Sequence, residues 1–310
     1  MNSTTLPRPL RGIIPPMITP LQGRDALDIA GLERLVEHLL SGGVHGLFIL
    51  GTTGEGPSLG YRLRRELIER VCCQVAGRAP ILVGITDTAF VEAAGMARAA
   101  AEQGATAVVL APPYYMPEGQ PELREYVAHL LPELPLPLYL YNMPALTKVA
   151  LELDTVRWAM DQPRILGMKD SSGDLIYFHR ALRMLGARPD WTLMVGPEEL
   201  LGPSVLMGGH GGVCGGANLF PGLYVALYEA ARRGDLAREC DLQGRVLEVS
   251  DRLYRVGKHP STIIKGIKCA ASCLGLCSDF MAEPFHRFRG PERQRIEAAV
   301  AELADAVRVD

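Results

Sequence analysis

ILGMKDSSGD, residues 165–174, has the form of a buried strand that ends in a cation. Ile165, Leu166 and Met168 are apolar, and Ser171, Ser172 and Gly173 signal a turn directly afterwards. An ammonium group is costly to bury without a partner. The chain also uses lysine sparingly, with five lysines among its 32 basic residues. A lysine at the end of an apolar strand therefore calls for a reason.

The stretch is one of a series. Seven other short apolar runs end in glycine, proline or small polar residues: GIIPPMITP (12–20), GLFILG (46–51), PILVGI (80–85), AVVLAPP (107–113), PLYLYN (137–142), TLMVG (192–196) and GGVCGG (211–216). Most are spaced about 30 residues apart, the last nearer 20. Amphipathic helical patterns lie between them, such as LDIAGLERLVEHLLSGG, which ends in glycines. Strands alternating with helices at this spacing imply parallel βαβ units. Six units or fewer suit an open doubly wound sheet, and eight close a ring. Eight runs predict an α/β fold, a (β/α)8 TIM barrel. No G-x-G-x-x-G opens a helix, which weighs against a dinucleotide fold. Past about residue 220 the strand signal stops and the sequence reads as helical. The expected organisation is a catalytic barrel over 1–222 and a C-terminal helical extension over 223–310 packed on it.

Composition narrows the class. At 48% hydrophobic and 22% charged the chain is ordinary for a soluble protein with a sizeable core. Its net charge of −3 offers no electrostatic case for nucleic acid or an anionic membrane. No apolar stretch approaches the roughly 20 residues of a membrane span. The opening MNSTTLPRPLRG lacks the apolar middle of a signal peptide, so the cytoplasm is the expected compartment. Seven cysteines form no C-x-x-C pair, and Cys269, Cys273 and Cys277 share one face of a predicted helix as small hydrophobes. The histidines show neither H-x-H nor H-E-x-x-H spacing, and no G-x-S-x-G elbow occurs.

In a (β/α)8 barrel the reacting groups sit at the C-terminal ends of strands and in the loops that follow. Those ends hold Gly51-Thr52-Thr53-Gly54-Glu55-Gly56, Tyr114-Tyr115, Tyr141-Asn142-Met143-Pro144, Lys169 and Gly196-Pro197-Glu198-Glu199. Strict alternation sets Ile165, Gly167 and Lys169 on one face and Leu166 and Met168 on the other. If the second set faces the helices, Lys169 points into the barrel mouth. There it can bind an anion, form a Schiff base as a neutral amine, or pair with Asp170 or a glutamate. Tyr141 ends the neighbouring strand, close enough to shuttle protons, although a core aromatic with its hydroxyl satisfied is more frequent in general. GTTGEG is too short for a P-loop, but its backbone N–H groups can cradle a carboxylate. Glu198 and Glu199 fall at a helix start, where acids are favoured in any case.

Taken together, GTTGE, Y-N-x-P and G-x-K-D, in this order and spacing, resemble the dihydrodipicolinate synthase / N-acetylneuraminate lyase family of pyruvate-dependent class I aldolases, over nearly the whole chain. The resemblance implies a homotetramer built as a dimer of dimers. It implies that Lys169 forms the Schiff base, that Tyr141 relays protons with Thr52, and that Tyr115 completes the relay from a neighbouring subunit. Gly51, Thr52 and Thr53 would hold the pyruvyl carboxylate, and no metal or organic cofactor is implied. Gly196, Glu198, Glu199, Leu146 and Gly215 would line the remainder of the substrate site. The departures bear on substrate. Leu146 stands where synthases carry an arginine, Lys148 where sialic acid lyases have glycine, Glu198 where they have aspartate, and Gly215 where they have a hydroxyl residue. The -PPYY-x-P- stretch and Y-N-M-P are similar to the 2-keto-3-deoxy-sugar-acid aldolases. The expected activity is that of a lyase making or cleaving a C–C bond in, or dehydrating, a pyruvate-derived 2-oxo acid, a 2-keto-3-deoxy sugar acid above all, with dihydrodipicolinate synthase as the alternative. A non-catalytic 2-oxo-acid sensor, and a phosphate-binding barrel using Gly211-Gly212 and Gly215-Gly216, are rivals from other classes.

Overall fold

The computed structural model describes residues 6–308. Eight parallel strands form one sheet: β1 (Gly12–Ile13), β2 (Leu47–Ile49), β3 (Ile81–Gly84), β4 (Ala107–Leu110), β5 (Leu138–Asn142), β6 (Ile165–Asp170), β7 (Thr192–Val195) and β8 (Gly211–Gly212). They coincide with the eight apolar runs. Neighbours follow chain order, with β1 beside β8. The ring closes where Pro16 bridges Phe48, with Phe48 N–H donating to Pro15 O at 3.0 Å and Met17 N–H to Phe48 O at 2.8 Å. Pro15 and Pro16 have no N–H to give, so this seam carries a bridge instead of a full ladder.

Helices alternate with the strands: α1 (Ile29–Ser41), α2 (Tyr61–Val75), α3 (Phe90–Glu102), α4 (Gln120–Leu130), a single turn α5 (Pro144–Thr147), α6 (Leu153–Met160), α7 (Leu175–Met184), α8 (Leu201–Leu206) and α9 (Pro221–Arg233). In α1, Leu32, Leu35, Val36 and Leu39 recur three and four apart and are all buried. Asp28 caps its start by accepting from Gly31 N–H at 2.9 Å. α9 completes the eighth unit, so the expected boundary at 222 falls inside its first turn. Gly234, in the left-handed conformation at φ 72°, ends α9, and Asp235 caps α10 (Leu236–Leu253). α11 (Thr262–Cys273) and α12 (Pro291–Ala306) make up the rest of the extension.

Two apolar layers result. One fills the barrel interior and includes Phe48, Leu82, Val109, Tyr139, Leu166 and Met194. The other lies between strands and helices and includes Ile165 and Met168. Strict alternation therefore fails at the start of β6. Leu138 pairs with Ile165 but Tyr139 pairs with Gly167, so Leu166 is the extra residue of a β-bulge. Ile165 turns outward and Leu166 inward, the reverse of the expectation, while Met168 and Lys169 keep theirs. Gly167 permits this close passage: a Cβ there would lie 2.5 Å from Thr192 O and 2.9 Å from the Tyr139 ring.

Candidate active site

β5 and β6 run side by side in register, which sets Tyr141 directly opposite Lys169. Lys169 Nζ lies 4.3 Å from the centroid of the Tyr141 ring and 5.5 Å from that of Phe48. Among the described residues no carboxylate forms an ion pair with it. Asp170, the candidate partner, faces the other way and is buried. It accepts from Asn142 Nδ2 at 2.8 Å, from Ser172 Oγ at 3.0 Å and from Ser172 N–H at 3.1 Å. Burial pushes the Asp170 carboxyl above its ordinary range, against the pull of these donors. The group thus ties the ends of β5 and β6 together and leaves the amine unpaired.

Gly196, at the end of β7, gives the lysine its room. A Cβ there would sit 1.8 Å from Ser171 Oγ and 3.1 Å from Lys169 Cε. Ser171 therefore borders the lysine, although the motif reading passed over it. Its signal was available, since it lies two residues beyond Lys169. Phe48 was also missed, because nothing in an apolar run marks the residue that will face a cation.

The GTTGEG loop follows β2. Leu50 and Glu55 take left-handed conformations at φ 59° and 55°. Glu55 N–H donates to Thr52 O at 3.0 Å and Gly56 N–H to Gly51 O at 3.2 Å, closing a tight turn. A Cβ on Gly56 would lie 2.2 Å from Leu50 O, so that position needs glycine. Among the described residues neither Thr52 N–H nor Thr53 N–H has an acceptor in the chain. Two free donors in a Gly-rich turn make an anion nest. The Thr52 and Tyr141 hydroxyls share a hydrogen bond of 3.3 Å, so the nest and the lysine belong to one site.

Not every expected residue joins it. Glu198 is 4% exposed. Its Oε1 accepts from Tyr224 at 2.5 Å and Tyr254 at 2.8 Å, and its Oε2 from Gly216 N–H at 2.9 Å. Desolvation pushes this carboxyl up to about 7, against the three donors. Glu198, expected to line the substrate site, has both carboxylate oxygens engaged by donors of the chain, and they brace the loop after β8. Glu199 accepts from Ser250 Oγ at 2.5 Å. Gly215 flanks this network, 3.7 Å from Glu198 Oε2 as measured from the position a Cβ would take. Leu146 and Tyr115 are 45% and 83% exposed. No contact joins Tyr115 to Tyr141 within the chain, among the described residues.

A half-buried lysine at the C-terminal end of β6, flanked by a tyrosine–threonine hydroxyl pair and an anion nest, defines an aldolase-type lyase built on a (β/α)8 barrel. The comparisons with known proteins agree. A family model described as the dihydrodipicolinate synthetase family matches residues 9–303, and the chain belongs to that family. Its sequence is 34% identical over 292 residues to a 4-hydroxy-tetrahydrodipicolinate synthase of Thermomicrobium roseum, covering 94% of each chain. It is 32% identical over 267 residues to YjhH of Escherichia coli K12, named as a probable 2-dehydro-3-deoxy-D-pentonate aldolase, covering 86% of this chain and 87% of that one. The solved dihydrodipicolinate synthase of Bacteroides thetaiotaomicron superposes with a TM-score of 0.92 at 52% identity, over 95% of this chain and 99% of that one. YagE of E. coli K12, solved with pyruvate, superposes at 0.89 with 28% identity, over 95% and 98%.

Proposed function

We propose that this enzyme forms a Schiff base between Lys169 and a 2-oxo acid, and makes or cleaves a C–C bond in a 2-keto-3-deoxy sugar acid with pyruvate as one partner. The observation that carries the reading is an amine without a carboxylate partner, set beside the Tyr141–Thr52 hydroxyl pair and the free N–H groups of Thr52 and Thr53. The nest takes the carboxylate of the 2-oxo acid. The neutral amine adds to C2, and the carbinolamine oxygen leaves as water after gaining a proton through Tyr141 and Thr52. The iminium then acidifies C3, and loss of that proton gives an enamine. Attack of the enamine on an aldehyde forms the C–C bond, and hydrolysis frees Lys169. The reverse course releases pyruvate. The iminium is the electron sink, so the scheme uses no metal or organic cofactor.

The remainder of the mouth supports a polyhydroxylated second half. Leu146 stands where the synthases carry arginine, and Lys148 Nζ is turned back onto Ala145 O at 2.9 Å. The Leu146 side chain itself offers a second carboxylate no guanidinium. The pentonate aldolase name of YjhH points the same way. Dihydrodipicolinate synthase is the second reading, favoured by the 52% identity to the B. thetaiotaomicron protein. We further propose a homotetramer in which Tyr115 completes the relay across an interface. Seven free thiols suit a reducing compartment, and the cytoplasm is the proposed location.

Borohydride trapping with pyruvate, followed by intact mass and peptide mapping, tests the chemistry. A reduced pyruvyl adduct on Lys169 is expected. A folded protein that yields no adduct would make the lysine an anion anchor and the protein a 2-oxo-acid binder. Turnover of 2-keto-3-deoxy sugar acids against condensation of pyruvate with aspartate semialdehyde then separates the two substrate readings.

A further inference from the structure

The carboxylate nest is held from outside the barrel. Glu55, the acid of the GTTGE loop, and Lys268, in α11 of the C-terminal extension, form an ion pair in which both side chains are fully buried, 213 residues apart in the chain. Each is anchored a second time. Lys268 Nζ donates to Phe280 O at 2.7 Å, and Ala282 N–H donates to Glu55 Oε2 at 2.8 Å. Glu55 is also the left-handed residue whose N–H closes the turn on Thr52 O. Its side chain is thus fixed by the extension while its backbone fixes the nest.

A buried ion pair is weak evidence for stability, because desolvation offsets the attraction and an apolar pair of similar volume packs as well. What charge adds here is position. The carboxylate accepts bonds from two different segments of the extension. These bonds allow one place for Glu55, two residues from Thr53.

We propose that Lys268 and Glu55 are positioning residues: through them the C-terminal extension sets the geometry of the Thr52–Thr53 nest and thereby the affinity for the 2-oxo acid carboxylate. This rests on the Schiff-base reading above. The pair touches no reacting atom. Its loss is therefore felt in binding of the 2-oxo acid more than in the step after binding.

The test uses the full-length protein and pyruvate. The amount of borohydride-trapped adduct on Lys169 is followed against pyruvate concentration in wild type, Glu55→Gln and Lys268→Met. Half-saturation is expected to rise on the order of tenfold in each variant, the usual size of a coupling between sites, with trapping at saturating pyruvate little changed. Amide exchange on wild type provides the second measurement and needs no variant to fold. Pyruvate is expected to slow exchange at residues 280–282 as well as at 51–56. Half-saturation unmoved in a folded variant, or protection confined to 51–56, overturns the proposal and leaves the pair as packing. A wild type that traps no pyruvate overturns the functional reading and the brace with it, which separates that failure from the others.

Discussion

Lys169 is legible as a candidate from its strand alone, but its competence depends on what surrounds it. The unpaired amine, the π faces of Tyr141 and Phe48 and the 3.3 Å Thr52–Tyr141 contact are all tertiary facts. If the hydroxyl pair moves protons, Tyr141→Phe is expected to lower turnover by about 10²-fold or more while pyruvate is still trapped on Lys169, only more slowly. Steady-state kinetics beside borohydride mass analysis checks both halves. Glu198 carries a second expectation. Its carboxyl is held at about 7 in the folded chain against an ordinary 4.5, so the native state binds this proton more tightly than the unfolded state. Its contribution to stability is then full below about pH 4.5, falls as pH rises, and is gone above about pH 7. Glu198→Gln cannot titrate. The stability of wild type relative to this variant is expected to decline across that window by up to about 3 kcal/mol. Chemical denaturation at several pH values measures it, and a flat difference would mean that the three donors hold Glu198 ionised throughout.

The ends of β2, β5, β6 and β7 deliver the parts of the site, and the fit between ends is close. Gly196 on the loop after β7 leaves the space that Ser171 and the Lys169 side chain occupy after β6. Gly196→Ala is expected to slow adduct formation by about 10²-fold, the scale of an ångström-level misplacement. Because the nearest clash is with Ser171 Oγ, adding Ser171→Ala is expected to restore part of the loss. Trapping time courses on the single and double variants decide it, and an unslowed Gly196→Ala would show that the lysine has slack. Element existence was readable from the spacing of eight apolar runs. The bulge at Leu166 was not, because it depends on how β5 and β6 pack, and Gly167 only makes room for it.

At the scale of the whole molecule, one chain holds the lysine, the nest and the Tyr141–Thr52 pair, while Tyr115 stands 83% exposed and apart from them. If it acts across an interface, the Lys169→Ala and Tyr115→Phe proteins are each weakly active alone. Mixed and reassociated, they are expected to regain activity, since one site in a mixed pair combines an intact lysine with an intact partner tyrosine. Unchanged activity after subunit exchange, verified by native mass spectrometry, would confine the site to one chain. The extension is likewise a matter of the whole fold. Its helical character is legible in the sequence past about residue 220, but its grip on the GTTGE loop through Lys268 joins residues no local pattern links.

The sequence by itself determined the eight βα units, the family, and the three strand-end motifs that bear chemistry, because apolar periodicity and turn chemistry are local and survive being read along a line. It also carried Lys169 and Tyr141 to neighbouring positions, since adjacent parallel strands leave little freedom in how their ends meet, whereas Thr52, after β2, meets Tyr141 only across the barrel mouth. Only the tertiary structure decided what surrounds each acid. Glu198 read as an acid at a helix start with an implied place in the substrate site, and Glu55 as one residue of the GTTGE loop. Folding buries both, one against Tyr224 and Tyr254 and the other against Lys268. A carboxylate's role depends on which donors reach it and how much water is left around it, and those are set by chain segments far away in the sequence.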